Sequence, residues 1–150
     1  MGVEIRKASK EDIDLLYEIE VECFGDYAFS KPQLKCCLSS PNFLTLAVLA
    51  EEKPVGFLIG SMERLNQESM GHIYTLDVKF EFRRKGLGTK LLATFEQTLA
   101  QSSVKTFCLE VSINNTAAKK LYLKAGYKVH ERLKDYYESG IDGIRLRKNI

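Results

Sequence analysis

An α/β fold, with a mixed and mostly antiparallel sheet covered by helices on both faces, is the architecture this chain predicts. Three observations predict it. Apolar runs of strand length, bounded by turn residues, recur at 43–51, 55–63, 72–78 and 106–112. Segments with helical spacing alternate with strands in the second half, the clearest being Leu87, Leu91, Leu92, Phe95 and Leu99. No linker, repeat or low-complexity tract divides the 150 residues, so one domain spanning 1–150 is expected. The order reads βααβββαβαββ.

The first strand is expected at 3–8, where apolar and polar residues alternate. Ser9 then caps a helix to about residue 23, with Asp12 completing a Ser-x-x-Asp start and Ile13, Leu16, Tyr17 and Ile19 as its core face. Residues 24–30 read as a loop. Ser30-Lys31-Pro32 reads as a cap and an early helical proline, giving a short helix to Leu38 that Ser39-Ser40-Pro41 ends. Strands at 43–51 and 55–63 form a hairpin joined at Glu52-Lys53-Pro54. The strand at 72–78 leads into the helix that begins near Leu87. A strand at 106–112 and a helix from about Thr116 to Ala125 follow, with Gly126 placed to end the helix. Strands at 127–134 and 144–148 flank an exposed turn around Ser139-Gly140.

Composition narrows the function. A net charge of +2, with no basic arm or aromatic–basic ladder, gives no footing for nucleic-acid binding. No apolar run approaches the roughly 20 residues of a membrane span, and the opening MGVEIRKASKED does not read as a signal peptide. Four cysteines (Cys23, Cys36, Cys37, Cys108) show no metal spacing, and only two histidines accompany them. A reduced cytoplasmic protein without metal is expected, with Cys108 and the Cys36-Cys37 pair acting as small hydrophobes and not as nucleophiles.

The chemistry is concentrated in residues 70–92. A strand ends in Arg83-Arg84-Lys85-Gly86-Leu87-Gly88 and a helix starts there. Such a junction directs several backbone N–H groups outward at a helix N-terminus, where the dipole favours an anion. Two glycines allow close approach of a phosphate, and three basic side chains add positive potential. The pattern is not a dinucleotide fingerprint, because Leu91 stands where the third glycine belongs. It is not a P-loop, because Thr89-Lys90 and not Lys-Ser/Thr follows Gly88.

The hexapeptide Arg-x-x-Gly-x-Gly instead resembles the acyl-CoA motif of the Gcn5-related N-acetyltransferases (GNAT), and the element order resembles that superfamily over essentially the whole chain. A second segment, LEVSINNTAAKKLY at 109–122 closing at Ala125-Gly126-Tyr127, is similar to a signature of protein N-terminal acetyltransferases, the bacterial ribosomal-protein alanine and archaeal enzymes among them. A third, Asp135-Tyr136-Tyr137-Glu138-Ser139-Gly140-Ile141-Asp142, resembles their substrate-gripping hairpin. Tyr127 replaces a common Phe, and Ile141 stands where many relatives carry an acid, which leaves substrate choice less defined.

The resemblance implies that acetyl-CoA is the cosubstrate, its pyrophosphate held by Arg83, Arg84, Lys85, Gly86, Leu87, Gly88 and Thr89. Leu76 and Val78 would offer backbone hydrogen bonds to the pantetheine amides. Asn115 would hold the same arm, although helix capping alone accounts for an Asn there. Glu110 sits in an apolar strand, where a carboxylate must face a cleft, water or a partner. The family's catalytic glutamate falls at this position, and partial desolvation is expected to raise its pKa toward that of a useful base. His72 would assist it, or else is a strand-end histidine without a role. Tyr122 lies on an apolar helix stripe and reads as core; the resemblance adds protonation of the leaving thiolate. Phe24, Tyr27 and Phe29 would form one wall of a peptide slot, or simply anchor their loop. Tyr136 and Tyr137 would form the other wall, with strand alternation sending them to opposite faces.

The function implied is direct acetyl transfer, in a ternary complex, to the α-amine of a peptide or protein N-terminus. Acetylation of a lysine side chain or small amine, or a non-catalytic acyl-CoA-binding module, are the alternatives. The oligomeric state stays open, with ribosome association as one expectation.

Overall fold

The computed structural model describes residues 2–150. The elements are β1 (Val3–Lys7), α1 (Ile13–Phe24), α2 (Lys31–Ser39), β2 (Phe43–Ala50), β3 (Lys53–Leu65), β4 (Glu68–Val78), α3 (Leu87–Ala100), β5 (Thr106–Ser112), α4 (Thr116–Lys124), β6 (Lys128–Glu138) and β7 (Ile141–Asn149). This is the expected order. The strands form one sheet, β1-β2-β3-β4-β5-β7-β6, antiparallel except for the parallel β4–β5 pair.

Helix starts follow the local chemistry. The Ser9 N–H donates to Asp12 Oδ2 at 2.8 Å, and Arg6 grips the same carboxylate at 2.7 and 3.0 Å. A 3-10 turn at Lys10–Asp12 therefore precedes α1. Ser30 and Gln33 cap α2 reciprocally, and Asn115 Oδ1 accepts from the Ala118 N–H at 3.1 Å to cap α4. Gly126, at φ 100°, ends α4 in a conformation that glycine adopts without strain.

Two hairpin turns differ from expectation. The β2–β3 turn is Glu51-Glu52, at φ 51° and 69°, so Lys53 and Pro54 already belong to β3. Pro54 is tolerated because the register shifts between Val48 and Leu49, beside it. A second tight turn, Asn66-Gln67 at φ 50° and 68°, extends β4 back to Glu68 from the expected residue 72. Neither turn carries the glycine that usually marks such conformations.

The sheet separates two cores. Leu16, Ile19 and Leu34 of α1 and α2 pack with Phe57 and Ile59 on one face. On the other, Leu91, Leu92, Phe95 and Leu99 of α3 pack with Leu58, Ile73, Phe107, Leu109 and Leu146, and Tyr122 of α4 joins them. None of the helices among the described residues is long and apolar enough to cross a membrane.

Two irregularities in β4 create the site. The β3–β4 register passes from Ile59↔Thr75 to Gly60↔Ile73, leaving Tyr74 as an extra residue. This bulge reverses the alternation: Gly71 and Ile73 face α3 before it, Leu76 and Val78 face α3 after it. His72, Thr75 and Asp77 consequently share the opposite face. The β4–β5 pairing also stops at Ile73↔Leu109, although β4 runs to Val78 and β5 to Ser112. Beyond that point the two strands part.

Candidate active site

The parted strands leave part of the β4 edge open. The Lys79 N–H donates to Val55 O at 2.9 Å, so odd-numbered backbone groups here turn toward β3 and those of Leu76 and Val78 turn toward the gap. The Val78 carbonyl is already taken, by Arg83 Nε at 2.9 Å and the Cys23 thiol at 3.5 Å. Its N–H and the Leu76 backbone are what this edge offers a ligand.

At the end of β4 the chain turns into α3 through Arg84 at φ 63° and Gly86 at φ 79°. The first intrahelical bond runs from the Lys90 N–H to Gly86 O, so the N–H groups of Leu87, Gly88 and Thr89 lie in the unpaired first turn. Arg84, Lys85 and Thr89 are exposed around this turn, whereas the Leu87 side chain is core. Gly86 has open space where a Cβ would stand, as a cradle for an anion requires. Gly88 serves packing instead: a Cβ there would stand 3.0 Å from Leu121 Cδ1 on α4. Arg83 is exposed as well, its guanidinium lying over the Phe80 ring with Nε donating to the Val78 carbonyl at 2.9 Å and Nη2 3.3 Å from Cys23 Sγ.

A polar row crosses the sheet beside the gap, on the face opposite α3. His72 Nε2 lies 2.7 Å from Glu110 Oε1, and Arg145 Nε donates to Glu110 Oε2 at 2.9 Å. On its other side His72 Nδ1 lies 3.1 Å from Glu63 Oε2. Ser61 Oγ donates to Glu63 at 2.8 Å, and the Tyr74 hydroxyl donates to it as well. Arg145 also pairs with Glu131. Strand geometry explains the row, because β3, β4, β5 and β7 each present this face at every second residue.

The electrostatics differ from expectation at Glu110. Burial pushes its carboxyl up, but hydrogen bonds from His72 and Arg145 outweigh burial and hold it below its usual value. It is His72 that is raised: burial opposes the imidazolium, and Glu110 and Glu63 overcome that. Each residue thus favours the charged form of the other across the 2.7 Å contact.

Tyr122 is buried with its ring 5.8 Å from that of Tyr127. Burial, then the charge of Asp77 and the nearby Tyr137, raise its hydroxyl far above the usual range, so it stays a proton donor. Tyr136 and Tyr137 lie near enough to Glu110 for its charge to act on both hydroxyls; burial, followed by Tyr136 and Glu110, lifts Tyr137 to about 12. The two rings do not take opposite faces. The β6 register shifts between Leu133 and Glu138, Asp135 sits at φ 52°, and both rings reach Gly143 of β7. Tyr27 comes to the same place from the α1–α2 loop, its hydroxyl donating to Glu138 Oε1 at 2.6 Å. Phe29 packs against the α1–α2 core and anchors the loop, and Phe24 is half-buried at the end of α1.

The model of the acetyltransferase (GNAT) family matches residues 13–127. The chain belongs to the GNAT acetyltransferase family. This acetyltransferase is 36% identical over 145 residues to the uncharacterized N-acetyltransferase MJ1530 of Methanocaldococcus jannaschii, covering 96% of this chain and 90% of that one. It is 31% identical over 148 residues to the N-terminal acetyltransferase A complex catalytic subunit NAA10 of Arabidopsis thaliana, covering 97% and 77%. Among solved structures, PaiA N-acetyltransferase of Thermoplasma acidophilum, in complex with coenzyme A, is 25% identical, with a TM-score of 0.83 and complete coverage of both chains.

Sequence reasoning missed Glu63, Tyr74 and Arg145 in this acetyltransferase. A signal existed for the last, since Ile144-Arg145-Leu146-Arg147 alternates and places two arginines on one face of a half-buried strand.

Proposed function

We propose that this acetyltransferase transfers the acetyl group of acetyl-CoA to the α-amine of peptide or protein N-termini, by direct attack in a ternary complex. The observation that carries the substrate reading is the Tyr27–Glu138 hydrogen bond, which ties the α1–α2 loop to the β6–β7 hairpin beside the His72–Glu110 pair. Two walls joined this way admit a chain end more readily than a side chain projecting from the middle of a folded chain. The relatives named as N-terminal acetyltransferases support the same reading.

The residues fit acetyl-CoA. Gly86, Leu87, Gly88 and Thr89 would hold its pyrophosphate with backbone N–H groups, aided by Arg84 and Lys85. Leu76 and Val78 would hold the pantetheine arm along the open edge of β4, and Asn115, already the α4 cap, stands at the far side of the gap. Acetyl-CoA supplies the activated acyl group. An ammonium cannot attack, so the His72–Glu110 pair, in its deprotonated form, takes a proton from the incoming amine. Backbone N–H groups of β4 would favour charge on the thioester oxygen. Tyr122 would give a proton to the departing thiolate by position and not by acidity, since burial raises its hydroxyl.

Peptide arrays with labelled acetyl-CoA, varying the first two residues, test the reading. Acetylation of free N-termini is expected. Preference for an N-blocked lysine peptide or for a polyamine would refute it.

A further inference from the structure

The polar row holds one more carboxylate than a base needs. His72 lies between two, Glu110 at 2.7 Å from Nε2 and Glu63 at 3.1 Å from Nδ1. Glu63 is not a passing surface group. Ser61 and the Tyr74 hydroxyl both donate to it, and the Tyr74 ring stacks on the imidazole at 4.2 Å. Beyond it opens a cleft of about 550 Å³ lined by Asn42, Phe43, Ser61, Glu63 and Arg64.

We propose that Glu63 is a positioning residue of the amine-deprotonating site: it accepts the Nδ1–H of His72, turns Nε2 toward Glu110 and the amine, and balances the charge the ring gains. This rests on the reading of His72–Glu110 as the base. The step balances simply. An N–H bond of the substrate ammonium breaks, its proton enters the gap between Nε2 and Glu110 Oε1, and the imidazolium so formed faces a carboxylate on each side. Loss of that proton to water restores the pair.

The charged and titratable groups that bear on the ring come from five strands. Glu63 is on β3 and Tyr74 on β4; β5 contributes Glu110 and Cys108, the latter paired in register with His72. Arg145 and Arg147 approach from β7, behind Glu110, and Arg147 is drawn off toward Glu68 at 3.6 Å. Glu131 and Tyr136 of β6 lie beyond Arg145. Glu63 is thus the carboxylate nearest Nδ1, and no arginine pairs with it among the described residues. Its charge acts on the ring from the side opposite Glu110.

The pH profile of kcat/KM and ¹⁵N-imidazole NMR of the full chain with acetyl-CoA test this. His72 and His130 are the only histidines, so His130→Gln assigns the signals. Glu63→Gln keeps an acceptor for Nδ1–H but removes the charge. The acid limb and the His72 midpoint should then both move about one pH unit lower. Glu63→Ala also frees the ring, and kcat should fall roughly 10- to 100-fold with the KM for acetyl-CoA unaltered. Glu63→Asp should recover part of the loss. An unchanged limb and midpoint in Glu63→Gln overturn the inference, and that isosteric variant decides the matter should Glu63→Ala fail to fold. Wild-type kcat in His72→Ala would instead bring down the base assignment itself.

Discussion

Replacing Asp77 by Asn should make the protein more stable, and by an amount that grows with pH. Asp77 is fully buried and Glu20, also buried, lies against it between α1 and β4. Thr75 Oγ1 is 2.6 Å from Asp77 Oδ1 and 3.2 Å from Glu20 Oε1, yet a hydroxyl has one proton to give. Asp77 Oδ2 has no partner among the described residues. Burial, and then the Glu20 carboxylate, push Asp77 well above the usual carboxylate range, so it stays protonated where an exposed Asp is ionised. A group raised on folding contributes fully below its unfolded pKa, near 4, and loses that contribution as pH rises toward the folded pKa. One extra proton in the native state corresponds to a slope of about 1.4 kcal/mol per pH unit. Asn removes the slope and keeps an acceptor for Thr75. At pH 4 the two proteins should agree within about 1 kcal/mol. Above that the variant should gain up to about 1.4 kcal/mol per pH unit, levelling off where the native carboxyl ionises. Urea unfolding at pH 5, 6, 7 and 8, with a constant m-value, reads the difference directly. A gap that does not vary with pH, or an Asn variant less stable at pH 8, refutes the protonated acid pair.

Glu110→Gln should lower kcat roughly 100-fold, about 2.7 kcal/mol of barrier, with acetyl-CoA binding retained; turnover within about twofold of wild type from pH 6 to 9 would remove Glu110 from the base. Gly86→Val should weaken acetyl-CoA binding in calorimetry because a β-branched residue resists φ 79° at the helix N-terminus. Gly88→Val should disturb α4 through Leu121 and cost about 1–3 kcal/mol of stability; wild-type acetyl-CoA affinity in both variants would empty the cradle of its role. Tyr137→Phe should raise the peptide KM several-fold, as loss of one ordinary hydrogen bond does, and Tyr27→Phe should do the same by releasing the wall; normal peptide kinetics in both would refute the slot.

Much of the fold could be read along the chain because its signals are local. The Leu87–Leu99 stripe, the Ser30 cap, the Gly126 stop and the apolar strands each act within a few residues. What escaped were features set at a distance. Glu51-Glu52 and Asn66-Gln67 adopt positive φ without glycine because the flanking strands hold them there, so the length of β4 was not legible. The Tyr74 bulge depends on the register with β3 and leaves no mark in composition. At the site, His72 and Glu110 could be singled out as residues, but the direction of the Glu110 shift could not. It depends first on His72 and then on Arg145, 38 and 35 positions away in the chain and adjacent only through sheet pairing. The Arg83 hydrogen bond likewise needs the position of the Val78 carbonyl.

The bulge at Tyr74 also makes it the one residue of β4 that could be cut out without turning either half of the strand over. Ile73 and Thr75 already pair with neighbouring residues of β3, Gly60 and Ile59, so their junction would be regular. Gly71, Ile73, Leu76 and Val78 would keep to the α3 side, and His72, Thr75 and Asp77 to the other. What the strand would lose is the ring beside the imidazole and the hydroxyl on Glu63. Tyr74 is thus a side chain spliced into the strand, serving its chemical half while leaving the phase of its packing half untouched.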